Sequence, residues 1–170
     1  MSKVLTRWNR LPVQKAAKEI LPCCGSQAWA DGIVARRPFP DEAALLAASE
    51  ETWRNLAAGD WMEAFRSHPR IGESRAPQSV PVQSAAWSKQ EQQRVTAAGD
   101  PLKTALAQAN REYEKRFGHI FIVCATGKSG PEILAILQRR LENDKQRELL
   151  EAAEQQRQIT QIRLTQWLSG

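Results

Sequence analysis

The sequence predicts an all-α fold: one multi-helix, bundle-like domain over residues 1–170, with a single buried extended segment. Three observations predict it. Apolar residues recur at spacings of three and four along most of the chain, the repeat of one helical face. Caps and breakers separate these stretches at intervals suited to short and medium helices. Only one run, His119-Ile120-Phe121-Ile122-Val123-Cys124-Ala125, is β-branched and aromatic enough to favour extended backbone, and no second such run exists to pair with it.

Taken in order, Pro12 suits the first turn of a helix, and Val13, Ala16, Ala17 and Ile20 share a face. Leu21-Pro22-Cys23-Cys24-Gly25 stops it, and Ser26 caps a helix presenting Trp29, Ala30 and Ile33. After the breaker Pro38-Phe39-Pro40, Asp41 caps a longer helix to about Ala58, with Leu45, Leu46, Ala48, Thr52 and Leu56 inward, ended by Gly59. Asp60 is read as the cap of a short helix from Trp61 to about Ser67. Residues 71–86 carry two prolines and three serines without apolar periodicity, and read as a loop. Trp87 and Ser88 then open a helix in which Ser88 and Glu91 have capping-box spacing, and which runs to Gly99. Asp100-Pro101 reads as N-cap and first turn of a helix with Leu102, Leu106, Ala109, Tyr113 and Phe117 inward, ended by Gly118. Ser129 caps the helix from Pro131 to about Leu141. Asn143 introduces a last helix to about Leu168, with Leu149, Ala152, Ile159, Ile162 and Trp167 apolar.

Composition bounds the function. A chain of 170 residues, 42% of them hydrophobic, suffices for a real core. The absence of an apolar run of about 18 residues excludes a membrane-spanning helix. The N-terminus lacks a signal peptide's apolar segment and the C-terminus shows no targeting tripeptide, so the cytoplasm is the expected location. Three cysteines, Cys23, Cys24 and Cys124, do not make a disulfide framework and lack zinc-ligand spacing; they are expected to be buried, reduced and apolar in role. The net charge of +5 is spread evenly: residues 1–85 hold 11 Lys+Arg against 9 Asp+Glu, and residues 86–170 hold 13 against 10. Without a basic patch or aromatic–basic interleaving, nucleic acid is not an expected partner.

The stretch with the most chemistry is Ser67-His68-Pro69-Arg70-Ile71-Gly72-Glu73. Pro69 biases His68 away from helical dihedrals and Gly72 permits a turn, so a titratable ring stands on a stiff corner among charges. Other groups have bland readings too. Glu91 is explained as a cap partner, Arg163 either lies along the core edge or holds a carboxylate in a cavity, and His119 reads as a satisfied, half-buried ring. Thr126-Gly127-Lys128-Ser129 resembles the end of a phosphate loop, but Ile122 stands where the motif needs glycine, so a helix cap is the better reading.

Together these pieces resemble the 2-oxo-4-hydroxy-4-carboxy-5-ureidoimidazoline (OHCU) decarboxylase family. The likeness rests on His68-Pro69-Arg70-Ile71-Gly72, Ser88-x-x-Glu91-Gln92, Phe117 to Ser129, and Ile162-Arg163-Leu164. Leu21 to Ser26 with Trp29, and Arg37-Pro38-Phe39, add to it. The resemblance implies an all-α homodimer without cofactor or metal that converts OHCU to (S)-allantoin in urate breakdown. It implies catalytic roles for His68, Glu91 and Arg163. It also implies substrate binding by Pro69, by Ser88, Lys89, Gln90, Glu91 and Gln92, and by the backbone of Phe121, Ile122, Val123, Cys124 and Ala125. Two rivals stand beside it: a helical module that binds an acidic partner through the His68 turn, and a metal-dependent hydrolase using His68, Glu73 and His119.

Overall fold

The computed structural model describes residues 2–72, 82–93 and 99–170. They are all-α, with no strand among the described residues. By contacts the chain forms two compact units, Met1–Ala64 with Arg157–Gly170, and Phe65–Gln156.

The first unit holds the helices Lys3–Trp8, Val13–Ile20, Gln27–Val34 and Glu42–Arg54, with a 3₁₀ turn at Leu21–Cys23. The Lys3–Trp8 helix was not anticipated: six residues are too few to show a period. Ser2 accepts a hydrogen bond from the Leu5 amide to cap it, and Leu5 and Trp8 are buried. Trp8 anchors this core. Its indole donates to the Ala16 carbonyl at 3.0 Å, stacks on Phe39 and meets Trp167 edge-on. Ser26 and Asp41 cap their helices as expected, accepting from the Trp29 and Ala44 amides.

The boundary after Glu42–Arg54 differs from expectation. The helix stops before Asn55, whose side chain donates to the Glu51 carbonyl at 2.9 Å, a local bond that competes with helix continuation. The next helix is Ala58–Arg66, so Gly59 and Asp60 lie inside its first turn. Asp60 is therefore not the N-cap; its carboxylate reaches back to the Ala57 amide at 3.3 Å.

The second unit is built on the helices Val82–Glu91, Asp100–Phe117 and Gly130–Arg140 and the first part of Lys145–Leu168. Ile71, Leu106, Ala109, Tyr113, Phe121, Val123, Ala125, Ile133 and Leu137 share one apolar cluster. Gly118, at φ +80°, ends Asp100–Phe117 as expected. Gly99, not Asp100, is that helix's N-cap, and Asp100 falls in its first turn. Ser129 and Glu132 form a complete capping box on Gly130–Arg140. Asp144, rather than Asn143, opens the last helix, accepting from the Arg147 amide at 2.9 Å.

The largest correction concerns residues 82–91, where a loop and then a cap at Ser88 were expected. The helix begins at Val82, which puts Ser88 in its interior and Glu91 at its last position. The Ser88–Glu91 capping box is thus absent. Among the described side chains of this segment the buried ones are Ser84, Trp87, Ser88 and Gln92, spaced three and four apart. This is a helical stripe, but three of its four residues are polar, so no apolar period marks it. Residues 73–81 of the expected loop and 94–98 of the expected run to Gly99 lie outside the described residues.

Candidate active site

His68 follows the end of Ala58–Arg66, its amide donating to the Phe65 carbonyl at 3.2 Å. The ring is 7% exposed, and its Nε2 lies 2.7 Å from Oε1 of Gln156 on the last helix. A carboxamide oxygen only accepts, so Nε2 carries the hydrogen and Nδ1 is the basic nitrogen of the neutral ring. Pro69 is buried beside it in sequence.

The rest of the turn is pinned residue by residue. Arg70 makes a two-point ion pair with Glu114. Asn110 donates to the Ile71 carbonyl at 3.1 Å, and the Ile71 side chain enters the apolar cluster. Gly72 sits at φ +81°, where a side chain is disfavoured, and its amide donates to Oε1 of Gln92 at 2.9 Å. Four partners fix five residues, which is how a loop acquires the rigidity of a helix.

The Gln92 bond ties this turn to the end of Val82–Glu91. Of the expected substrate segment, Ser88 and Gln92 are buried, Glu91 is half-buried, and the side chains of Lys89 and Gln90 are exposed. Glu91 in turn lies within electrostatic reach of Cys124. Burial pushes the Cys124 thiol above its ordinary range, the Glu91 charge pushes it the same way, and Lys128 opposes them. The His68 turn, the Ser88–Gln92 segment and the Phe121–Ala125 crossing therefore belong to one neighbourhood of the second unit.

That crossing is buried from Phe121 to Ala125 without being a strand, as the sequence predicts. Its backbone polar groups are met by side chains. Arg140 Nη1 donates to the Ile122 carbonyl at 2.6 Å, the Cys124 amide donates to Gln155 Oε1 at 2.9 Å, and Lys128 Nζ donates to the Cys124 carbonyl at 2.8 Å. Lys128 is thus turned back onto its own chain, away from the anion-binding role its motif suggests, and Ser129 is an ordinary cap.

Arg140 is itself held. Its Nε and Nη2 donate to Glu148 Oε1 at 2.8 and 2.5 Å, the Tyr113 hydroxyl donates to the same oxygen, and Asn143 Nδ2 donates to Oε2 at 2.9 Å. Arg140, Glu148 and Tyr113 are fully buried. Burial raises the Tyr113 hydroxyl well above its usual range, so it stays a donor.

Arg163 lies in the first unit and is 0% exposed, which removes the reading of a side chain laid along the core edge with its head in water. Its Nη1 donates to the Pro22 carbonyl at 3.4 Å. Its charge also acts on the buried Cys23 and Cys24; burial pushes the Cys24 thiol up to about 12, against the opposing pull of Thr160 and Arg163. All three cysteines are buried thiols outside any disulfide, as expected. A cavity of about 490 Å³ lined by Lys3, Thr6, Arg7, Arg10 and Leu11 in this unit contains none of the expected site residues.

His119 is a half-buried ring whose Nδ1 donates to the Ile120 carbonyl at 2.9 Å, packed among Phe65, Tyr113 and Phe117. Burial holds its pKa below the ordinary histidine value. No cluster of three or more His, Cys, Asp or Glu side chains arranged for a metal occurs among the described residues, and Glu73 of the hydrolase rival lies outside them.

Sequence reasoning missed Gln156, Asn110, Arg140 and Glu148. A signal existed for two of them. Glu148, Ala152, Gln156 and Thr160 are spaced by four on the last helix and all are buried, so polar residues stand on its core-facing line.

A buried, tautomer-fixed histidine, a carboxylate on a helix end and a strip of clamped backbone make this an all-α protein with the equipment for proton transfer. The profile of the OHCU decarboxylase family matches residues 9–165. The uric acid degradation bifunctional protein TTL of Arabidopsis thaliana is 36% identical over 155 residues, 86% of this chain, and the chain spans 45% of that protein's length. The OHCU decarboxylase of Amia calva is 30% identical over 129 residues, covering 75% of this chain and 73% of its own. A crystal structure of OHCU decarboxylase in the presence of (S)-allantoin superposes with a TM-score of 0.76 at 31% identity, over 89% of this chain and 98% of that one. The chain belongs to the OHCU decarboxylase family.

Proposed function

We propose that this chain decarboxylates OHCU to (S)-allantoin in urate degradation. The observation that carries the reading is His68: buried, held at Nε2 by Gln156, and set in a chain that matches the family from residue 9 to 165.

The substrate brings its own electron sink. As the C4–carboxylate bond breaks and CO₂ leaves, the electron pair forms C4=C5, and the C5=N1 pair moves onto N1 and the conjugated 2-oxo oxygen. Protonation of N1, loss of the C4 hydroxyl proton and protonation at C5 then give allantoin. This chemistry calls for no electron-sink cofactor. The protein's part is to orient the carboxylate, move protons and stabilise the charge where it arrives.

His68 moves the proton through Nδ1, with Pro69 beside it. Glu91 holds the ureido or ring N–H groups and orients the substrate, with Ser88, Lys89, Gln90 and Gln92 as its neighbours in the binding segment. The crossing Phe121, Ile122, Val123, Cys124 and Ala125 supplies backbone hydrogen bonds to substrate oxygens through amides other than that of Cys124, which Gln155 holds, and such donors cost no side-chain entropy. The family motif assigns Arg163 to a carboxylate or oxo oxygen, where its planar fork fits. The family profile runs through both units, which supports reading residues 1–170 as one functional domain. We place it in the cytoplasm as a homodimer; among the described residues no helix is long and apolar enough to cross a membrane.

The test is to add purified protein to OHCU generated from urate in situ. The OHCU absorbance should fall faster than spontaneous decay and the allantoin should be the S enantiomer. Decay at the spontaneous rate with racemic product would overturn the reading.

A further inference from the structure

The Phe121–Ala125 crossing shows two alternations. Its odd residues Phe121, Val123 and Ala125 put their side chains into the apolar cluster. Its even residues receive the side-chain hydrogen bonds: His119 on the Ile120 carbonyl, Arg140 on the Ile122 carbonyl, Gln155 on the Cys124 amide and Lys128 on the Cys124 carbonyl. An extended chain produces this pattern, because the polar groups of residues i and i+2 face one edge and those of i+1 the other. One edge of the crossing is thus tied down by protein side chains.

The opposite edge is aimed as a consequence. The peptides after Ile122 and Cys124 are trans, the cis bond among the described residues being at Arg37–Pro38. In a trans peptide the N–H points away from its C=O. Arg140 gripping the Ile122 carbonyl therefore turns the Val123 amide the other way, and Lys128 gripping the Cys124 carbonyl does the same for Ala125. A cation on the carbonyl also polarises the peptide and strengthens its N–H as a donor. Arg140 is fixed for this by Glu148, and its guanidinium lies 4.6 Å from the centre of the Phe121 ring.

We propose that Lys128 and Arg140 are positioning residues: by clamping one edge of the crossing they aim the Val123 and Ala125 amides at the substrate's 2-oxo oxygen. The proposal rests on the decarboxylase reading above. Charge reaches that oxygen only as CO₂ departs, so the clamps act on kcat more than on KM.

Lys128→Met is the direct test, because Lys128 is half-buried at a helix lead-in and the backbone bond from its amide to the Ala125 carbonyl survives the change. The variant should keep its thermal midpoint and KM while kcat falls on the order of 10-fold, short of the ~10²-fold that a 1 Å misplacement costs. Lys128→Arg, which can still donate to the Cys124 carbonyl, should recover most of the loss. Arg139→Gln, which removes only a surface pair with Glu151, should leave kcat unchanged. Independently, (S)-allantoin titrated into wild-type protein labelled with ¹⁵N-valine and ¹⁵N-alanine should shift the Val123 and Ala125 amides. An active wild type with an unimpaired Lys128→Met, or with amides that do not move at saturating allantoin, would overturn the clamp and leave the decarboxylase reading standing. An inactive wild type would remove both.

Discussion

His68 and Gln156 are 88 residues apart in the chain, and their Nε2 and Oε1 atoms lie 2.7 Å apart in the fold. The bond decides which nitrogen of the ring is basic. It also joins a turn after one helix to the buried line of another.

The first prediction follows from that bond. In Gln156→Glu a carboxylate replaces the amide oxygen facing Nε2, which favours the imidazolium. The His68 limb of the kcat/KM pH profile should then move to higher pH, by about one unit or more. A profile that superposes on wild type would mean that the titrating group is not His68.

Glu91 is at the last position of Val82–Glu91 and caps nothing at that helix's start. Glu91→Gln should therefore leave the thermal midpoint close to wild type while turnover falls by roughly 10²-fold, the cost of a substrate misplaced by about 1 Å. Its charge also raises the Cys124 thiol pKa, so removing it should lower that pKa, read from the pH dependence of Cys124 alkylation. Full turnover in this variant would reduce Glu91 to a bystander.

The Arg140–Glu148 pair is fully buried, so each charge depends on the other. Arg140→Met alone leaves Glu148 without its cation and should cost about 3–5 kcal/mol in urea unfolding. Pairing it with Glu148→Leu should recover much of that stability. Simple addition of the two single-variant losses would contradict the coupling.

His119 makes stability depend on pH in a definite direction. Burial holds its pKa below the ordinary value of 6.5, so the unfolded state binds its proton more readily. Stability is then fully present above about pH 6.5 and falls as the pH drops below it. His119→Gln should flatten that acid limb in thermal melts from pH 7 to 5. An equally steep limb in the variant would assign it to other groups.

Much of the fold was legible because apolar stripes and caps are local signals. Ser26, Asp41, Ser129 and Gly118 mark the ends they were expected to mark, and the run His119–Ala125 proved a strandless crossing that is buried from Phe121 to Ala125. The two largest misses share one cause. Residues 82–92 bury Ser84, Ser88 and Gln92 with Trp87, and the last helix buries Glu148, Gln156, Thr160 and Arg163. A period carried by polar side chains is invisible to a search for apolar ones. The partners that would have explained those residues, such as Gly72 for Gln92 and His68 for Gln156, are distant in sequence. The motif around His68 pointed to a site, yet the anchors that make it rigid, Asn110, Gln92, Glu114 and Gln156, carry no motif of their own.

The most direct measurement compares OHCU turnover by wild type and His68→Ala, at matched concentration and with folding verified by circular dichroism. Turnover should fall by roughly 10²–10⁴-fold in the variant, with its helical signal unchanged. A folded His68→Ala protein that decarboxylates OHCU at the wild-type rate would contradict the account.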